Sequence, residues 1–80
     1  MDPGFLEAWR KSLLAEMDRK DKSLARRRAV ESVYARRKTA HQIKTVAEFI
    51  RLTTAATTNA DMAAVEQDWN RWCKRTERNA

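Results

Sequence analysis

A thiol, an imidazole and a run of guanidiniums are the groups in this sequence with the most chemistry to offer. Cys73 and His41 are each the sole member of their residue type. A cysteine–histidine pair acts as a nucleophile only when the base lies within hydrogen-bond reach and a third group orients it. The two fall on different expected helices, and nothing near either one suggests an orienting partner. Cys73 therefore reads as a small buried residue and His41 as a polar residue of a first helical turn. No spacing of Cys, His, Asp or Glu resembles a zinc or calcium site. The single glycine, Gly4, excludes a glycine-rich phosphate loop. Glu66 and Asp68 read as surface acids facing Asn70 and Arg71. The pattern points away from an enzyme and implies no cofactor and no metal.

The guanidiniums are a different matter. Between Ser23 and Lys44 stand Arg26, Arg27, Arg28, Arg36, Arg37, Lys38 and Lys44, against the one acid Glu31. Residues 1–22 hold five cations and five acids, and so do residues 45–80. The formal net charge of +6 is therefore confined to one stretch near the middle of the chain. Arginine presents a planar fork of donors that matches phosphate oxygens. Three consecutive arginines on a helix fan through about 200°, which suits gripping a backbone better than a single contact. On a continuous helix Arg26 and Arg37 share one stripe, and Lys20, Arg27 and Lys38 share another. The candidate binding residues are Arg26, Arg27, Arg28, Arg36, Arg37 and Lys38. The expected partner is the phosphate backbone of DNA or RNA, with an acidic protein surface as the alternative, in which case the chain is an inhibitor or adaptor. The bland counter-reading is that these cations only build and close a helix, or are neutralised by acids from elsewhere in the fold.

The elements that must position this stretch are helices. One Gly and one Pro, with many Ala, Leu, Arg, Lys, Glu and Gln residues, argue against a turn-rich β protein. Eighty residues make a single domain with a thin core. The expected fold is all-α, with three helices, or four if the first breaks within residues 18–23. Asp2 and Pro3 look like a helix start. Phe5, Leu6, Trp9, Leu13 and Met17 recur at helical spacing, on a stripe suited to the core or to a homodimer. Around it, Glu7–Lys11, Glu16–Lys20 and Asp18–Lys22 are i, i+4 pairs in the favourable order.

Leu24 stays in line with Leu6 and Met17, which favours one long helix from about Pro3 to Lys38. Val30, Val33 and Tyr34 lie to one side of that line, which favours a bend. Thr39 and Gln42 match a capping box, so a second helix is expected over 40–56, with Arg36, Arg37 and Lys38 closing the first. Ile43, Val46, Ala47 and Ile50 share a face that Phe49 and Leu52 widen. Thr57, Thr58 and Asn59 supply turn and cap residues. A third helix over 60–77 carries Met62, Val65, Trp69, Trp72, Cys73 and Thr76 within one stripe. Trp69 and Trp72 read as core rather than as base-stacking rings. Acids at the start of this helix, Asp61, Glu66 and Asp68, argue against its being the recognition helix of a helix-turn-helix. No run of residues is long and apolar enough for a membrane span, and no signal-peptide pattern is present, so cytoplasm is the default expectation.

Overall fold

The computed structural model describes residues 3–78. It contains α1 (Pro3–Val30), α2 (Val33–Ala55) and α3 (Asn59–Arg78), and no strand among the described residues. The chain is thus the expected small all-α domain with a long N-terminal helix, which runs unbroken through residues 18–23. Pro3 is the first residue of α1, and the expected cap, Asp2, lies outside the described residues.

The boundary between the first two helices differs from expectation. α1 stops at Val30 and does not continue to Lys38. Ser32, not Thr39, caps α2: its backbone is extended (φ −63°, ψ 161°) and its hydroxyl accepts from Ala35 N at 3.4 Å. The Ser32 carbonyl then accepts the first bond of the new helix, from Arg36 N at 3.0 Å. The chain reverses through Glu31 and Ser32 with no positive φ at any described residue, so no glycine is needed. Thr39 instead lies within α2, buried, and donates its hydroxyl to Glu31 Oε2 at 2.6 Å. Gln42 is likewise interior to α2 and half-buried.

α1 and α2 form an antiparallel hairpin. Contacts pair Glu31 with Thr39, Met17 with Thr53, and Arg10 with Thr53 to Ala56. The facing residues alternate at intervals of four and three, the spacing of a coiled-coil seam. On α1 they are Leu6, Arg10, Leu13, Met17, Lys20, Leu24, Arg27 and, just past its end, Glu31. On α2 they are Ala35, Thr39, Gln42, Val46, Phe49 and Thr53, with Ala56 following. All of these residues are buried or half-buried except Arg27, which is exposed. α3 runs parallel to α1 and lies across both helices. Its Trp69 ring is buried, with its indole N–H donating to Glu16 Oε1 at 3.1 Å. Trp69 meets Phe49 edge-on at 5.3 Å and stacks on Trp72 at 5.6 Å. In the opposite sense, Trp9 of α1 donates to Glu66 Oε2 of α3 at 2.9 Å. Leu13, Met17, Leu24, Val46, Ala56, Met62 and Trp69 make the core.

This core takes up the stripe that offered a homodimer surface. Leu13 and Met17 are buried, and Leu6 and Trp9 pack at the edge of the core. Of that set Phe5 alone is largely exposed. Leu13 and Met17 of that stripe therefore belong to the core of the single chain. Among the i, i+4 pairs, Asp18–Lys22 closes at 3.1 Å. Glu7 turns to Arg10 instead, and Lys20 lies 6.0 Å from the centre of the Trp72 ring.

Arg10 performs a task that its place on α1 does not announce. α2 ends in Thr-Thr-Ala with no cation in its last turn and no glycine behind it. Its terminal carbonyls would be left without partners. The Arg10 guanidinium crosses from α1 and donates to the carbonyls of Thr53, Thr54 and Ala56 at 2.7, 2.8 and 2.8 Å. One planar fork thereby satisfies three carbonyls and places a positive charge at the negative end of the helix. Replacing Arg10 with Met keeps the aliphatic stem and removes the fork. Urea unfolding followed by circular dichroism is expected to show a loss of about 2 kcal/mol, in line with hydrogen bonds to a charged group.

Candidate functional site

The α1–α2 corner is where the six candidate cations collect. Arg26, Arg27 and Arg28 stand in the last turn and a half of α1, and Arg36, Arg37 and Lys38 in the second turn of α2. Arg28 and Arg36 line one shallow depression with Ala25 and Ala29. All six cations are exposed. Between Leu24 and Thr39 every residue is exposed except Glu31 and Ala35. The contacts that α3 makes through its aromatic rings and Glu66 reach Trp9, Glu16 and Lys20 on α1 and Phe49 on α2. The corner lies beyond them, at one end of a molecule measuring 49 × 19 × 15 Å.

Glu31 holds this corner together. Its carboxylate accepts from buried Thr39 and lies 3.7 Å from Arg27 Nε, while its backbone carbonyl accepts from Arg36 Nε at 3.1 Å. The expected Arg27–Glu31 pair is therefore present, and Arg36 is tied to the turn as well. Among the described residues, no carboxylate lies within ion-pair distance of Arg26, Arg28, Arg37 or Lys38. The two long stripes expected on a continuous helix do not form, because the chain reverses between their members. The two sets of cations come together instead as the two arms of a hairpin tip.

The reversal also removes one structural reason for the second set. Arg36, Arg37 and Lys38 were expected to close a helix, where cations suit the negative end of the dipole. They stand instead just inside the start of α2, which has no acid in its first turn. Arg27 and Arg28 do occupy the last turn of α1, where the dipole favours them.

The sequence did not show the roles of Glu31, Ser32 and Thr39 at the corner, or of Arg10 and Glu66 away from it. Glu31 was visible as the only acid of its stretch, but not as a buried-hydroxyl acceptor. Ser32 lacks a Glu or Gln three residues on, whereas Thr39 has Gln42, so the capping pattern favoured the wrong residue. Nothing local announced the actual partners of Thr39 and Arg10, which are eight and more than forty residues away. Glu66, expected on the surface beside Asn70, holds Trp9, while Asp68 does face Arg71, at 4.0 Å.

The remaining reactive groups are separate from the corner. His41 is exposed on α2, and Cys73 is half-buried on α3. Burial pushes the Cys73 thiol above its ordinary pKa; nearby Lys20 opposes the rise, and Glu16 and Glu77 add to it. A raised pKa means less thiolate, the opposite of what an activated cysteine requires. Among the described residues no group of His, Cys, Asp and Glu is arranged to hold a metal ion. No helix among them is long and apolar enough to cross a membrane. Compared with known proteins, the chain matches no family model, no curated protein and no solved structure.

Two outcomes follow from this geometry. Glu31→Ala leaves the buried Thr39 hydroxyl without its acceptor and is expected to cost about 1–3 kcal/mol in urea unfolding; Glu31→Gln, which keeps an acceptor, costs less. Cys73 alkylation by iodoacetamide should show a pH midpoint above that of the urea-unfolded chain. By linkage, the stability held by the neutral thiol is present below the unfolded pKa and is lost as pH rises through the folded one.

Proposed function

We propose that this chain is a non-enzymatic nucleic-acid-binding protein that grips phosphates with the tip of its α1–α2 hairpin. The observation that carries the reading is a cluster of exposed cations, four of which no carboxylate among the described residues neutralises. Arg26, Arg28, Arg37 and Lys38 have no carboxylate partner among the described residues, and Glu31 is the one acid in the surrounding turn. Elsewhere cations are interspersed with acids, several in pairs such as Asp18–Lys22 and Glu48–Arg51. Like charges crowded at one exposed corner repel one another, and a polyanion relieves that repulsion.

The role of each residue follows from its bonds. Arg27 and Arg36 are anchored to Glu31, so they set the shape of the tip and add charge to it. Arg26, Arg28, Arg37 and Lys38 are free to turn toward phosphate oxygens. Such contacts fix position and orientation but do not by themselves read sequence. This supports an accessory or regulatory role that leaves sequence choice to other features.

Fluorescence anisotropy with mixed-sequence DNA and RNA at several salt concentrations tests the reading. Gripping four to six phosphates predicts a slope of log affinity against log salt of about −3 to −5. Arg26→Ala with Arg28→Ala should weaken binding and flatten that slope by about 1.5–2 units. Helical content should not change, since both side chains point to solvent. Arg71→Ala with Arg75→Ala, on α3, should leave the slope unaltered. Absence of binding to either nucleic acid at low salt overturns the proposal and leaves an acidic protein surface as the partner for the tip.

A further inference from the structure

The tip carries more than charge. Val30, Val33 and Tyr34 are 85%, 76% and 92% exposed, the most exposed large apolar side chains among the described residues. They sit at the end of α1 and in the first turn of α2, surrounded by the arginines. The fold gains nothing from them there. The other described aromatic rings all have ring partners: Phe5 with Trp9, and Phe49 with Trp69 and Trp72. Only the Tyr34 ring stands alone.

We infer that the occupant of the tip is a single-stranded nucleic acid, with Tyr34 as the platform on which an unpaired base stacks. The inference rests on the phosphate-binding reading above and narrows it. A phosphate oxygen can accept from the Tyr34 hydroxyl, but it offers nothing to the ring face or to the two valines. A duplex displays its phosphates and keeps its base faces stacked inside. A single strand presents both a charged backbone and exposed π faces, and proteins that hold it combine a basic surface with aromatic platforms. Tyr34 meets that requirement together with its neighbours. Arg37 and Lys38 are three and four residues along α2 and so share its face. A base on the Tyr34 ring places its flanking phosphates beside those two cations. Arg36, two residues on from Tyr34, lies about 200° round the helix, so the depression it shares with Arg28 is on another face of the tip and adds charge there.

The test uses the full chain with one labelled mixed-sequence oligonucleotide, as single-stranded DNA, as the matching single-stranded RNA, and annealed into duplex. The single strands should bind more tightly than the duplex at equal salt. Tyr34→Ala and Tyr34→Leu should each weaken single-strand binding by about fivefold or more, with an unchanged salt slope and unchanged circular dichroism. Tyr34→Phe should retain the affinity. The leucine variant keeps apolar bulk without a π face, so its loss separates stacking from simple burial. Preference for RNA over DNA, or the reverse, identifies which strand supplies the bases. Equal binding of duplex and single strand, or full affinity in Tyr34→Leu, overturns this inference and leaves the phosphate-binding tip standing. No binding of any of the three overturns both.

Discussion

The reversal at Glu31–Ser32 is the constraint on which the rest of the molecule depends. A chain with no glycine or proline between residues 5 and 38 would otherwise run on as a rod. Ser32 adopts an extended backbone and captures the N–H of Ala35, which opens a second helix. Glu31 locks the turn by accepting from Thr39 and by standing between Arg27 and Arg36. The one acid in a basic stretch is thereby used to fold it in two. Without that fold the six cations would spread along a helix; with it they occupy one end.

The body of the protein shows how a short chain compensates for a thin core. Among the described residues only seven hydrophobic ones are buried, and the seam between α1 and α2 admits Arg10, Lys20, Thr39, Gln42 and Thr53. Polar residues survive at such a seam because each of several meets a specific need. Thr53 turns its hydroxyl back to the Phe49 carbonyl at 2.7 Å, Arg10 closes the end of α2, and Lys20 covers the face of Trp72. The two indole N–H groups of Trp9 and Trp69 find carboxylates on the facing helix, so large rings are buried without orphaned donors. The ends of the domain are thus fastened by charged and polar groups, and its middle by aromatic packing.

The helical class, the third helix and most of the core were legible from composition and spacing. Met62, Val65, Trp69 and Trp72 recur so regularly that the face they share needed no tertiary knowledge. Leu24, aligned with Leu6 and Met17, correctly argued that α1 passes through the charged residues 18–23. What was not legible was the first corner. Thr39 and Gln42 make the better local capping pattern, yet tertiary burial of Thr39 against Glu31 decides the boundary. Polar residues in the seam also dilute the apolar signal of α1 and α2, so their pairing could not be read from hydropathy. For the candidate site, the residue types and their crowding were plain in the sequence, whereas their gathering on the two arms of a turn was not. Nor was the exposure of Tyr34, since an aromatic residue beside two valines reads as core until the neighbouring helix fails to cover it.

The separation of the Arg10 fastening from the arginine-rich corner has a mechanical consequence. The positive charge sits at one extremity of an elongated body whose remaining length is close to neutral. Such a particle has a large permanent dipole moment along its long axis. In the field of a polyanion it is rotated before it touches, so that collisions become predominantly end-on. A slender shape also leaves room for neighbouring molecules to stand side by side on one such polyanion.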